Sequence, residues 1–513
     1  MTERALFHDP IDDPCPARFN LAAYVLRHAA TTPNKTALEI HGGGQVESWS
    51  FGQLGDAVLN AAAALKYRQL PAGAKILLQV GNTVEFPILY LAAISAGYVP
   101  VPCSTMLTAA EVDVLVADLQ PQLIVQDQSA VHVKNLSCAT ATSHDLLATH
   151  NFPPVTFKLG DPNRLAYIVY TSGTSGIPRA VMHAHRAIWA RRMMWSGWYD
   201  LRTDDRMLHA GAFNWTYTLG TGLFDPWAKG ATALIAKGLV DRTQWPALIR
   251  QSSASIFAAA PGVLRQILGT NQDLFFPALR HALSAGEKLS ASIQQNWQDR
   301  TKTPVFEAFG MSEISTFISA NPQNPVAPEF IGYPQPGRKV AILSGHDAQP
   351  VPLDTPGVLA IDKDDAGLML GYLNSEAETK AKFRGGWFLT GDVARMGKGG
   401  LITYLGRADD MMNAGGYRVS PLEVEAAVNS HAHISESAAV AVEIKADAYV
   451  IAVFYTETKP VKHAELTAHC AARLAKYKTP RLFIRLDALP KNPNGKVQRS
   501  TLKKHIPVPH DQT

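Results

Sequence analysis

The 513 residues predict an α/β protein with a large N-terminal domain of βαβ-built sheets, a small β-rich subdomain, and a C-terminal α+β domain. Three observations carry this expectation. Segments of helical period alternate with short β-rich runs up to about residue 320, which is the grammar of helices laid on a mostly parallel sheet. After that the chain turns rich in Pro and Gly with short strands, and the final ~100 residues again mix helices and strands. The length points the same way, because single cores stop growing at roughly 250–300 residues.

In chain order, 20–28 reads as an amphipathic helix, 75–80 as a strand, 85–95 as a helix and 122–126 as a strand. The longest apolar run, 86–101, falls short of the ~20 residues that span a bilayer, so it is read as a buried helix leading into a strand. The alternation recurs with strands at 166–170, 232–235 and 255–258 and helices at 187–195 and 245–251. No fixed-period repeat is present. Short strands follow at 339–343, 358–362 and 401–405, then the polar turn Gly406-Arg407-Ala408-Asp409-Asp410. Beyond it come a helix at 421–430, strands at 437–442 and 450–455, and a helix at 464–474. The expected division is therefore 1–408, with the β-rich subdomain at about 325–408, and 409–513.

A composition of 46% hydrophobic and 18% charged residues suits a globular protein, and a net charge of +4 with dispersed basic residues gives no footprint for nucleic acid. Residues 1–30 lack the pattern of a signal peptide, with Asp9, Asp12 and Asp13 where an apolar stretch would stand. A cytoplasmic protein is expected, and a homodimer is compatible with the sequence. The four cysteines, Cys15, Cys103, Cys138 and Cys470, have no CxxC spacing, which favours a reducing compartment and offers no nucleophile.

The chemistry starts at Thr171-Ser172-Gly173-Thr174-Ser175-Gly176, directly after the strand 166–170 and before Ile177-Pro178-Arg179. Small residues let the backbone fold around a polyanion, hydroxyls and free N–H groups donate to phosphate oxygens, and Arg179 can neutralise charge. The run reads as a triphosphate cradle, and it is not the Walker pattern, which ends in Gly-Lys-Ser/Thr.

This loop resembles the signature of the adenylate-forming (AMP-binding) superfamily, in its acyl-CoA synthetase or acid–thiol ligase branch, with Arg179 where the family usually has Lys. Arg keeps the charge but binds as a planar fork. Further stretches carry the resemblance. Ser284-Ala285-Gly286-Glu287 resembles the loop beside adenine and the acyl group. Glu307-Ala308-Phe309-Gly310-Met311-Ser312-Glu313 resembles the motif whose aromatic stacks on adenine, whose hydroxyl touches the α-phosphate and whose acid holds Mg²⁺. The ribose-binding Asp maps onto Asp392, with Arg407 also reaching the ribose and Asp409 as hinge. Lys496, in Asn494-Gly495-Lys496, matches the lysine that enters the site during adenylation. Finally, Gly415-Gly416-Tyr417-Arg418 matches the stretch that lines the coenzyme A channel.

The resemblance implies an AMP-forming acyl-CoA synthetase using ATP, Mg²⁺ and coenzyme A, with a mobile C-terminal domain and Lys496, Glu313 and Thr171 as catalytic groups. Gly310 stands where acetyl-specific members have Trp, which implies an acid larger than acetate, medium-chain aliphatic or aryl. Phe213, Trp215, Ala285, Gly286, Ala308 and Gly310 would line its apolar slot, although Trp215 equally suits plain core packing. Two other readings stay open: an adenylation enzyme that loads a separate carrier protein, and a non-catalytic acyl-nucleotide binding protein.

Overall fold

The computed structural model describes residues 3–10, 13–127, 138–148, 152–171, 179–238, 240–345, 347–414, 417–445, 448–491 and 497–505. The chain forms two compact units, one of residues 8–339 and 362–386, the other of residues 1–7, 340–361 and 387–513.

In the first unit, among the described residues, a nine-stranded sheet runs in the order Tyr333–Pro334, Ser315–Ser319, Val305–Met311, His281–Ala285, Ile256–Ala259, Arg206–His209, Thr232–Ala236, Thr36–Gly42 and Gln45–Ser50. Its middle is parallel from Val305–Met311 across to Thr36–Gly42, and the outer strands are antiparallel. The inner strands read as unbroken apolar runs because both faces are covered, as in Thr232–Ala236, buried throughout. A second, four-stranded parallel sheet holds Val99–Pro102, Lys75–Gln79, Leu123–Gln126 and Ala139–Thr142.

The expected buried helix is Glu85–Ala96, apolar on every side and ended by Gly97 in the left-handed conformation at φ 82°, the usual way of stopping a helix before a turn. It leads into the strand Val99–Pro102 as anticipated. A third sheet is antiparallel: Leu165–Thr171 and Arg179–Ala184 form a hairpin, and Gly371–Tyr372 joins its far edge.

Two expected helices are shorter than their sequence pattern. The segment 20–28 forms Leu21–Val25, capped by the Asn20 side chain, and then a separate turn His28–Thr31. The segment 187–195 keeps only Ala187–Ala190 and is followed by a π-helical turn, Trp195–Tyr199. The Gly197 carbonyl in that turn accepts from Ser319 Oγ at 2.7 Å and Asn321 Nδ2 at 3.0 Å, so distant side chains take an acceptor that a longer α-helix would use.

The second unit holds a β-rich layer in which Lys339–Leu343 and Gly357–Asp362 pair antiparallel, as do Trp387–Met396 and Ile402–Arg407. The N-terminal strand Leu6–His8 adds to this sheet beside Lys339–Leu343, a pairing that nothing in the local sequence announces. The α+β part follows, with the long antiparallel pair Ile434–Lys445 and Ala448–Glu457, a parallel third strand Leu482–Arg485, and helices Pro421–Asn429 and His463–Ala471. Val424, Val428, Ile451, Val453 and Leu466 make its core. Among the described residues no helix is long and apolar enough to cross a membrane.

Candidate active site

In the first unit, the strand Leu165–Thr171 and its partner Arg179–Ala184 face each other so that Thr171 pairs with Arg179. The pairing ends at Thr171 and Arg179, the two residues that flank the Thr/Ser/Gly run. Ser172, Gly173, Thr174, Ser175 and Gly176 lie outside the described residues. Arg179 forms an ion pair through Nε with Glu378 Oε2 at 2.9 Å and lies 5.7 Å from the centre of the Tyr372 ring.

The strands His281–Ala285 and Val305–Met311 are parallel neighbours in a register that sets Ser284 opposite Glu307 and Ala285 opposite Ala308. This brings the 284–287 and 309–313 stretches together at the carboxyl ends of the strands, where ligands of open α/β sheets bind. Ser284 Oγ is fully buried and has no hydrogen-bond partner among the described residues. Glu287 is half-buried, with the Arg265 charge acting on it. Phe309 packs edge-on to Phe317 at 5.5 Å.

The Glu313 carboxylate accepts a 2.6 Å hydrogen bond from the Tyr372 hydroxyl at Oε1, and the Glu313 carbonyl accepts from the Met369 N–H at 2.8 Å. The Ser312 carbonyl lies 2.8 Å from His183 Nε2, which fixes that ring as the donor there. Burial pushes the His183 imidazole down to about 4, so it stays neutral. A cavity of about 40 Å³ is lined by Tyr90, His183, Arg191, Thr216, Met311 and Ser312 among others. Tyr90 Oη and His183 Nδ1 have no partner among the described residues, and the space is large and polar enough for ordered water. Arg191 is held by Asp225 through Nε at 2.9 Å, and its guanidinium also donates to Ser315 Oγ, bracing the turn that follows Glu313.

Trp215, Ala285 and Ala308 meet in one apolar cluster with Trp198, Tyr217 and Leu283. The Trp215 indole lies 3.0 Å from where a Cβ on Gly286 would stand, and the φ of 98° at this position also favours glycine. Phe213 is 1% exposed, belongs to a different core cluster and stacks on Phe86 at 5.3 Å. Gly310 has a structural reason of its own. A Cβ there would come within 2.5 Å of Thr316 Cα and 2.7 Å of the Ser315 carbonyl carbon, at a bulge in the pairing of Val305–Met311 with Ser315–Ser319. Close backbone approach accounts for this glycine without reference to the acid.

In the second unit, Asp392 pairs with Arg407 across the strands Trp387–Met396 and Ile402–Arg407. Asp392 is 3% exposed, accepts from Tyr404 Oη at 2.9 Å, and lies 3.5 Å from Arg407 Nη1. Arg407 Nε is also 3.5 Å from Asp409 Oδ1, and Asp409 is exposed in the turn after the strand. Gly415, Gly416 and Lys496 lie outside the described residues, as do the side chains of Tyr417 and Arg418. Their flanks are described: Ala414 pairs with Tyr417, and Lys491 bridges to Val497 on either side of the lysine loop. Arg499, three residues beyond Lys496, is anchored to both Glu425 oxygens at 2.7 and 2.9 Å.

Sequence reading missed Tyr372, His183 and Glu378, which bond Glu313, the Ser312 carbonyl and Arg179 in the first unit, and Tyr404, which bonds Asp392 in the second. No local spacing signals them, since Tyr372 and Glu313 are 59 positions apart. The cysteines stay inert, with burial pushing Cys15 and Cys470 up to about 11 and Cys103 up to about 12. Among the described residues no group of three His, Cys, Asp or Glu forms a metal cage. A carboxylate such as Glu313, acting with substrate phosphates, still fits a hard divalent cation.

Residues 25–373 match the AMP-binding enzyme family and residues 423–496 match the AMP-binding enzyme C-terminal domain. The chain is 29% identical over 481 residues to the 4-hydroxybenzoate–CoA/benzoate–CoA ligase of Rhodopseudomonas palustris, covering 89% of each. It is 26% identical to the acyl-coenzyme A synthetase ACSM3, mitochondrial, of Homo sapiens, covering 95% of this chain and 90% of that one. The structure of a benzoate CoA ligase from Burkholderia xenovorans LB400 superposes with a TM-score of 0.84 at 25% identity, covering 94% of this chain and 100% of that one. With two family domains in order and a parallel sheet carrying the motif ends side by side, the chain belongs to the AMP-binding enzyme family and is an AMP-forming acid–thiol ligase.

Proposed function

We propose that this ligase joins a carboxylic acid larger than acetate, medium-chain aliphatic or aryl, to coenzyme A at the expense of ATP. A carboxylate is a poor electrophile because a thiol attacking it would have to expel an oxide-like group. Adenylation removes that obstacle. In the first half-reaction a carboxylate oxygen attacks the α-phosphorus and pyrophosphate leaves. In the second, the thiolate of coenzyme A attacks the acyl carbon and AMP leaves.

The first step needs alignment and charge stabilisation rather than covalent help. Thr171, Ser172, Thr174, Ser175 and Arg179 take the phosphates, and Lys496 bridges carboxylate and phosphate oxygens. Gly173 and Gly176 let the loop's backbone close on them. Ser284 to Glu287 with Phe309 to Ser312 border the adenine and the α-phosphate, and Asp392 with Arg407 takes the ribose hydroxyls. Glu313 would hold Mg²⁺, which when bound offsets charge on the phosphate oxygens. For the second step Lys496 withdraws as the C-terminal domain, 409–513, turns about Asp409, and Gly415 to Arg418 line the thiol's path.

The observation that carries this reading is the register of His281–Ala285 against Val305–Met311, which sets the 284–287 and 309–313 stretches side by side. The relatives named for benzoates and for acyl chains support the acid class, as does the aromatic wall of Trp215 and Tyr217 next to Ala285 and Ala308. The test is acid-dependent pyrophosphate release across short, medium-chain and aryl carboxylates, with coenzyme A and a carrier protein compared as acceptors. Turnover only with acetate would overturn the acid class, and transfer only to the carrier protein would overturn the acceptor.

A further inference from the structure

We propose that Tyr372 selects the cation of this site: by occupying Glu313 Oε1 it leaves one carboxylate oxygen, Oε2, for the metal, so that Mg²⁺ is preferred to a larger ion such as Ca²⁺. The inference rests on the reading of Glu313 as metal ligand given above. Tyr372 Oη donates to Glu313 Oε1 at 2.6 Å, and no other group among the described residues bonds that carboxylate's side-chain oxygens.

The phenol is held in place from several directions. Tyr372 is 3% exposed, and its strand Gly371–Tyr372 is paired so that it faces Val181. Its backbone N–H donates to Thr379 Oγ1 at 2.9 Å, and the Arg179 guanidinium lies 5.7 Å from its ring centre.

The consequence for metals follows from their coordination habits. Mg²⁺ demands near-octahedral geometry and takes one oxygen from each of one or two carboxylates together with phosphates and water. Ca²⁺ accepts more oxygens and often binds a carboxylate through both. A glutamate with one oxygen already engaged can serve the first habit and is hindered in the second. Freed of Tyr372, the same glutamate can chelate.

The test is calorimetric binding of α,β-methylene-ATP in the absence of acid, with Mg²⁺ or Ca²⁺ present. The wild type should bind more tightly with Mg²⁺, and Tyr372→Phe should reduce the Mg²⁺-over-Ca²⁺ preference roughly five- to tenfold, about the net effect of one ordinary hydrogen bond. An unchanged preference in Tyr372→Phe would overturn the role of Tyr372. Nucleotide binding by the wild type that ignores both cations would instead overturn the placement of the metal on Glu313. A second measurement needs no tyrosine variant: infrared difference spectra of the wild-type Mg²⁺ complex should show a carboxylate with widely separated stretching bands, as for one-oxygen binding, absent from Glu313→Gln. Narrowly spaced bands, as for chelation, would refute the proposal.

Discussion

At the scale of one residue, the site depends on how each charged group is held. Asp392 is nearly buried and its Oδ1 is fixed by Tyr404, so Tyr404→Phe should raise KM for ATP about three- to tenfold while leaving kcat nearly unchanged, measured by steady-state pyrophosphate release. Lys496→Ala should lose acyl-adenylate formation yet keep thioester formation from supplied adenylate; equal loss of both steps would refute its assignment to the first half-reaction. The motif residues Glu313, Asp392 and Lys496 were legible because each sits in a short fixed spacing. Their supports were not, because Tyr372 lies 59 positions from Glu313 and Tyr404 reaches Asp392 from the neighbouring strand. Arg179 shows the same limit: its charge could be read, but its ion pair with Glu378 could not.

At the scale of an element, backbone proximity decides what the sequence can vary. Gly310 sits at a bulge with Thr316 Cα in its path, so Gly310→Ala should destabilise the protein by roughly 1–3 kcal/mol, the range for overpacking, measured by urea unfolding. An unchanged midpoint would show that the bulge can open. Gly416→Leu should spare pyrophosphate release and block the thioester step, and a variant impaired only in pyrophosphate release would contradict its place on the thiol's path. Most strands and the buried helix Glu85–Ala96 were legible from apolar runs bounded by turn residues. The helix expected at 187–195 was not, since the π-turn that follows Ala187–Ala190 depends on Ser319 and Asn321 capturing the Gly197 carbonyl.

At the scale of the whole molecule, neutral buried histidines tie stability to pH. Burial holds His183 and His281 down to about 4 and His185 and His209 down to about 3, all below the ordinary value of 6.5. Once the pH falls below 6.5 the unfolded chain binds protons that the folded chain refuses. The stabilisation is thus complete above 6.5 and is lost toward pH 3–4, at up to about 1.4 kcal/mol per pH unit for each ring. Urea midpoints should drop steeply between pH 7 and pH 4.5, and a flat profile would contradict the neutral burial of these rings. By itself the sequence determined the α/β class and the order of the motifs, because hydrophobic period and fixed motif spacing are local properties of a chain. Only the tertiary structure decided that Phe213 stacks on Phe86, that Gly310 lies against a neighbouring strand, and that one oxygen of Glu313 is already engaged by Tyr372. Those facts depend on which distant segments pack together, and packing is set by the whole chain folding at once.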